Sequence, residues 1–496
     1  MPAATVERAT SRQDALSNAH EELVLDRRGP LRPAQLTPSR ARLHGRALTL
    51  GFKLVDSLVL GGYVLTALLV QPTPSWAQSA AAALFCIVTM WALVSLRGYA
   101  FRAGERLAVH LARVIAAFVI TGLVIGALIA AASDRLIDLP LIWFGAGMLS
   151  ILILHVFDWM LVRDARARGR LTSNIVIVGA GENAERLVGA ALEAGDVAIL
   201  GVFDDRAARA PRAIRGVPVL GDTKALLESK ILPFVDRIVV AVPEAAEARV
   251  REIIDRLSVL PNPVALLVEG AGRGHGVASL SGASLAHVSG KRDDVGRAMV
   301  KRAQDVVIGS LALVFALPIM AATALAVRLD SPGPILFRQK RHGFNNEEIV
   351  VWKFRSMRAE ASDATASRQI SSDDERVTRV GRFIRATSLD ELPQIFNVLK
   401  GEMSLVGPRP HAIGMKTGEV ESARLVAHYA HRHRMKPGMT GWAAIHGSRG
   451  PVDTPQLVRE RVALDIEYIE RQSFWLDLYI IAMTIPCLLG DRQAVR

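Results

Sequence analysis

The chain has 496 residues, too many for one ordinary core, which points to about three domains. Half of its residues are hydrophobic and 22% are charged, with a mean hydropathy of +0.27, which excludes both a long disordered chain and a wholly membrane-embedded one. With 60 Lys and Arg against 48 Asp and Glu, the net charge of +12 suits anionic lipid or phosphorylated substrates, while an aromatic content of 5% argues against stacking on single-stranded nucleic acid.

Residues 1–47 are polar and carry Arg40, Arg42 and Arg46 just before the first apolar run. This lead is too long and too polar for a cleaved signal peptide and reads as a cytoplasmic tail. Four hydrophobic segments follow within 48–162, at 48–70, 76–96, 111–132 and 139–162, each near the ~20 residues a spanning helix needs. Lys53 and Asp56 sit in the opening turns of the first. Arg97, Arg102 and Arg106 load the loop between the second and third, and Arg163, Arg166, Arg168 and Arg170 follow the fourth. The positive-inside rule therefore assigns the N-terminus, that loop and everything after residue 162 to the cytoplasm, and the spans read as a membrane anchor. Cys86 and Cys487 lie in apolar stretches and read as packing residues.

From Asn174 strands alternate with helices, so 171–290 reads as a doubly wound, Rossmann-like α/β domain. Its first strand runs into Gly179-Ala180-Gly181, where glycine would let a phosphate approach a helix N-terminus, and Asp204 ends the next strand, placed to meet a ribose. The loop makes Gly179 and Gly181 a candidate nucleotide site. Its ending in Ala184, with no Tyr-x-x-x-Lys downstream, favours a structural or regulatory domain instead. Gly-rich 270–290 reads as a linker.

A further apolar run covers about 306–327, flanked by Lys301 and Arg302 before and by Arg328, Arg338, Lys340 and Arg341 after. Pro318 at its centre lacks the backbone donor and crowds the carbonyl of Val314. The expectation is two half-helices that enter and leave on one face, a re-entrant hairpin.

The rest is dense in charge. Pro393 belongs in the first turn of a helix, which places Asp390 and Glu391 at its N-terminus, where the helix dipole favours carboxylates. Ser388 and Glu391 also have capping-box spacing, which alone would make the acidic pair a mere helix start. Lys353, Arg355, Arg409 and Arg449 tip the balance, since they offer donors to phosphate oxygens, and a carboxylate facing phosphates calls for Mg²⁺. Arg379, Arg382 and Arg385 fit either the site or a lipid-facing basic surface.

The run SLDELPQIFNVLKGEMSLVGPRP (388–410), the KPGMTGW segment (436–442) and the Pro-centred apolar helix resemble the bacterial sugar transferase family, the monotopic polyprenyl-phosphate phosphoglycosyl transferases. Preceded by four spans and a Rossmann-like domain, the layout resembles the large members of that family. The resemblance implies a third, α-rich, membrane-associated catalytic domain over 296–496, a UDP-sugar donor (UDP-glucose foremost), undecaprenyl phosphate as acceptor, Mg²⁺, and a homodimer. It implies that Asp390 attacks the sugar-linked phosphate and that Glu391 supports it and the metal. Arg409 is the Arg of Gly-Pro-Arg-Pro. Arg449, in His-Gly-Ser-Arg-Gly, maps onto a phosphate-binding Arg, and Asp465 and Tyr468 fit a late Asp-x-x-Tyr-Ile pattern. His446, Ala444 and Ser448 depart from the family pattern beside the expected sugar pocket. A membrane-bound sugar-nucleotide dehydratase would need a second glycine-rich site and a Tyr/Lys pair after about residue 290; a non-catalytic assembly scaffold would use the cations for lipid alone.

Overall fold

The computed structural model describes residues 30–33, 36–39, 42–43, 45–70, 76–101, 105–131, 141–195, 197–206, 210–243, 246–268, 277–280, 283–289, 295–358, 374–417, 420–450 and 452–490. Arg40, Arg102 and the polar connections 71–75 and 133–138 lie outside these residues. Arg42–Leu171 forms one compact unit, and the chain from Thr172 onward forms another.

In the first unit, helices Gly45–Val70, Trp76–Ser95, Leu107–Ala131 and Leu141–Ala167 fall where the apolar segments predict them. They bury Leu60, Leu93, Phe118 and Ile151 between them and leave Leu54, Leu58, Leu123 and Phe157 exposed outward. Four described helices are long and apolar enough to cross a membrane: Ala47–Val70, Leu107–Leu128, Phe144–Ala167 and, in the second unit, Gly296–Asp330; the apolar stretch Ser79–Ser95 is shorter. Asp56, expected near a helix end, is instead fully buried in the bundle. Its carboxylate accepts from Tyr99 Oη at 2.7 Å and faces His155 Nε2 at 3.1 Å, and His110 Nε2 lies 3.0 Å from His155 Nδ1. Intramembrane ionisable groups turn inward and pair in this way because lipid offers them nothing.

The second unit opens with an α/β region. Strands β1 (Ser173–Val178), β2 (Val197–Phe203), β3 (Ala213–Ile214), β4 (Val217–Gly221), β5 (Arg237–Val240), β6 (Val264–Val268), β7 (Val277–Leu280) and β8 (Ala283–Ser289) form one sheet in the order β3-β4-β2-β1-β5-β6-β8-β7. Its centre is parallel, and helices Glu182–Ala194 and Glu247–Leu257 belong to opposite faces. Alternation does the sorting: Ile175 and Ile177 join one core, Val176 and Val178 the other. Residues 277–280 and 283–289, expected to be linker, pair antiparallel as the sheet's last two strands, because Leu285 completes the core and the backbone completes the ladder on β6.

Val295–Asp330 is one 36-residue helix that continues through Pro318, so the expected break into two half-helices is absent. Its packing explains why. Arg302 donates to the carbonyls of Val398 and Leu399 at 2.6 Å each, Gly309 faces the side chains of those residues, and Ala316, Met320 and Val327 join a core with Phe354, Ile384 and Ile395. Contacts on both sides of Pro318 offset the one hydrogen bond it forfeits. The opposite stripe, with Val307, Leu311, Val314, Phe315, Leu325 and Leu329, is exposed.

Beyond it, hairpin β9 (Leu336–His342) and β10 (Glu348–Phe354) packs on helix Gln394–Lys400, whose Asn397 brackets β10 by accepting from Trp352 N and donating to Val350 O. Strand β11 (Ser404–Val406) lies parallel to Gly438–Thr440. A Cβ on Gly438 would come within 2.1 Å of Gly407 N, which is why both loops need glycine there. Helices Pro455–Arg471 and Phe474–Gly490 close the region. Lys301 bridges Asp305 and Asp477 at 3.2 and 2.9 Å, Asp305 accepts from Ser404 Oγ and Leu405 N, and Tyr468 Oη donates to Asp477, a buried network that fixes the base of the long helix. Tyr468 is thus structural.

Candidate active site

Thr378 caps helix Arg379–Ala386, which ends at Thr387 and turns sharply at Ser388 into the single 3-10 turn Leu389–Glu391, ahead of Pro393. Ser388 has φ of 57°, and its side chain makes no capping bond. Its Oγ instead accepts from Arg449 Nη2 at 2.9 Å. The capping-box alternative therefore fails: the acidic turn is held by a cation from the loop that follows helix Trp442–Ile445.

Glu391 is tied on one side. Its Oε1 accepts from Lys353 Nζ of β10 at 2.8 Å and from Arg409 Nη2 at 2.9 Å. Burial disfavours its charged form, but Arg409 and Lys353 more than offset that and hold the carboxyl well below the usual range. Asp390 shares those cations only through space. Among the described residues its carboxylate accepts no hydrogen bond, and burial, with Glu391 adding, pushes it up to about 6 against the pull of Lys353, Arg385 and Arg409. Adjacent carboxylates thus have divergent environments: one is an anchored anion, the other is unengaged and pushed up by burial.

The structure brings Lys353, Arg409 and Arg449 to the acidic pair, and removes two residues expected there. Arg355 is buried and spent on the end of the long helix, donating to Pro332 O at 2.7 Å, Ser331 O at 2.6 Å and Ser331 Oγ at 2.9 Å. β10 ends at Phe354, so Arg355 lies just past the strand that carries Lys353 and reaches Ser331 instead of Glu391. Asp465 is buried behind the site, where Arg432 Nη2 donates to it at 2.6 Å. The same guanidinium donates to Arg409 O at 2.7 Å, so Asp465 and Arg432 position Arg409 from behind. Nothing in the sequence singled out Arg432 within its run of His and Arg. Arg461, also buried, steadies the Arg449 loop through Ser448 Oγ at 3.0 Å and Gly450 O at 2.6 Å. Burial, with Arg409 beside each, pulls Arg341 and Arg461 down to about 10, so the site is crowded with cations and complementary to a diphosphate.

No group of three His, Cys, Asp or Glu among the described residues could form an all-protein metal cage. Asp390 and Glu391 still fit a hard cation that takes few protein carboxylates and fills its octahedron with water and phosphate oxygens, because both Asp390 oxygens are unengaged.

The glycine turn of the α/β region is a different matter. Asp204 Oδ2 accepts from Ala180 N at 2.7 Å, where a phosphate would sit, and Asp204 is held in turn by Arg206 N at 2.8 Å and Arg249 at 3.0 Å. Glu182 and Glu185 add negative charge at that helix start. Gly179, with φ of 105° and Val242 where its Cβ would be, needs glycine; Gly181 faces open space and does not. A phosphate-bearing cofactor does not fit this turn.

An anchored acidic pair ringed by cations, on a domain packed along an apolar helix, defines an enzyme-like site complementary to anions. A family model described as bacterial sugar transferase matches residues 296–491, and one described as CoA-binding domain matches 95–267. The chain is 46% identical over 187 residues (38% of this chain, 94% of the relative) to an exopolysaccharide production protein PSS of Rhizobium leguminosarum bv. phaseoli. It is 38% identical over 288 residues (56% and 58%) to the UDP-glucose:undecaprenyl-phosphate glucose-1-phosphate transferase of Xanthomonas campestris pv. campestris. It is 48% identical over 187 residues (38% and 39%) to the Escherichia coli (strain K12) protein of the same name, so it spans 58% and 39% of these two longer relatives. The chain belongs to the bacterial sugar transferase family.

Proposed function

We propose that the chain transfers a sugar 1-phosphate from a UDP-sugar, UDP-glucose foremost, to undecaprenyl phosphate through a covalent phosphosugar on Asp390. The observation that carries this reading is the carboxylate of Asp390, without hydrogen-bond partners among the described residues, beside a Glu391 that Lys353 and Arg409 hold ionised. Asp390 Oδ attacks the sugar-linked phosphorus of the donor. An O–P bond forms, the bridging P–O bond breaks, and UMP leaves with that electron pair. Arg409 and Arg449 meet the charge that builds on the phosphate oxygens. A phosphate oxygen of undecaprenyl phosphate then attacks the same phosphorus and releases Asp390, giving undecaprenyl diphosphate sugar, the substrate for a polysaccharide-assembling glycosyl transfer. Asp390 and Glu391 would hold Mg²⁺, which when bound supplies neutralising charge for the diphosphate.

The names of the two glucose-1-phosphate transferase relatives support glucose and the lipid acceptor, and the PSS relative's name supports a place in exopolysaccharide production. The long helix supports a lipid acceptor too: it rests on the catalytic domain from Arg302 to Val327 with its other stripe bare, as expected of a helix that meets lipid along one side. Its basic flanks and the Arg-loaded segments after the second and fourth helices favour the cytoplasmic side of the inner membrane. The test is UMP release by the detergent-purified chain from a panel of UDP-sugars with undecaprenyl phosphate. Release with UDP-glucose supports the reading, release only with another UDP-sugar revises the donor, and none with any donor rejects it.

A further inference from the structure

The connection of the β9–β10 hairpin is unusual for a two-strand ribbon. Residues 344–346 form a 3-10 turn with Asn345 and Asn346 at φ of 56° and 59°, closed by Gly343 N donating to Glu347 O at 2.6 Å. Asn tolerates this left-handed backbone, but exposed hairpin turns keep such residues in water. Asn345 is 4% exposed. Its Nδ2 donates into the α/β region, to Leu232 O at 3.0 Å and Val235 O at 2.9 Å, the same carbonyls that Asn262 of that region satisfies at 3.2 and 2.8 Å. A second contact joins the same two regions: His431 bonds to Ser258 O.

Each contact adjoins an element that places an active-site cation: Asn345 precedes the strand of Lys353, and His431 precedes Arg432, which holds the Arg409 backbone. Asn345 begins the path along β10 to Lys353, roughly 17 Å of strand from Glu348 onward at about 3.3 Å per residue. That strand is held straight by its ladder and by Asn397. His431 precedes Arg432, which grips Asp465 and the Arg409 carbonyl. Asp204 fills its glycine turn, and the α/β region holds both cation-bearing elements from behind.

We infer that the α/β region is a clamp on the active site, and that Asn345 is a positioning residue that keeps Lys353 against Glu391 and near Asp390. The inference rests on the transfer reaction proposed above and assigns that reaction a determinant about 17 Å or more from its chemistry. Asn345→Asp preserves size while turning a donor into an acceptor that faces two carbonyls; Asn345→Gly preserves the backbone and removes the amide.

The experiment is kcat and KM for UMP release by the full-length chain, measured for each Asn345 variant in the wild-type and in the Lys353→Met background. If Asn345 acts through Lys353, Asn345→Asp lowers kcat/KM about tenfold in the wild-type background and less than about twofold once Lys353 is already Met. A loss of stability alone would lower the folded fraction by the same factor in both backgrounds. Should neither Asn345 variant fold, His431→Ala is measured in the same way against Arg409→Met. Active wild type whose folded variants lose nothing, or lose equally in both backgrounds, overturns the clamp alone. Wild type that releases no UMP overturns the transfer reading, and the clamp with it.

Discussion

Asp390 and Glu391 are neighbours of like chemistry with opposite fates, and the difference lies in which carboxylate the cations touch. Glu391 receives two charge-assisted hydrogen bonds; Asp390 receives only their field, and burial leaves it titrating at about 6. The sign follows. In the proposed reaction Asp390 attacks as the anion, so UMP release should rise with pH through about 6 and level off above it. Asp390→Asn should lower that release by at least about a thousandfold, since an amide forms no acyl phosphate. Because Asp390 carries a raised pKa in the folded state, its ionised form opposes folding above that range, and the Asn variant should melt no lower than wild type at pH 7. A second pair separates site from scaffold. Arg449→Ala should cost about 10- to 100-fold in kcat/KM with an unchanged melting temperature. Arg355→Ala, which strips the carbonyls of Ser331 and Pro332 of their donor, should destabilise the fold by about 3 kcal/mol and leave KM near wild type in the folded fraction. Equal effects of the two on KM would contradict the placement of Arg355.

At the scale of elements, the long helix decides how the chain meets the membrane. Pro318 does not break it, because Ala316 and Met320 are packed on either side of the proline against the catalytic core. The one-sided topology we propose then depends on that packing and on the basic flanks, and less on the proline itself than its chemistry alone suggests. A single reporter cysteine at Ser331 should be protected from an impermeant reagent applied outside intact cells; labelling from outside would show a true crossing. Pro318→Leu, which gains about 3 kcal/mol of helix propensity, should leave that protection in place. The pressed loops of Gly407 and Gly438 are another element-scale device. They seat Arg409 by letting two backbones touch, so the glycines of VGPRP and KPGMTGW serve the geometry of the site without lining it.

Over the whole molecule, what could be read in advance had a local signature. Apolar runs gave the membrane helices, the alternation of Ile175 to Val178 gave the central sheet, and the run around Asp390 gave the acidic turn. What escaped depends on residues distant in sequence. Arg355 looks like a phosphate ligand until the long helix presents Ser331 to it. Asp56 looks terminal until His155 and Tyr99 close over it, and Asp465 looks like a ligand until Arg432 intervenes. Strands 277–280 and 283–289 were hidden by their glycine-rich surroundings, and Asn345 has no signature at all, since only the fold brings it to Leu232 and Val235. The central claim is the covalent phosphosugar. It is tested most directly by mass spectrometry of the purified chain incubated with UDP-glucose and Mg²⁺ without a lipid acceptor. The account predicts a glycosyl phosphate on the peptide that contains Asp390, absent from Asp390→Asn and discharged when undecaprenyl phosphate is added. An active chain whose Asp390 peptide stays unmodified, with UMP formed only once the acceptor is present, would contradict it.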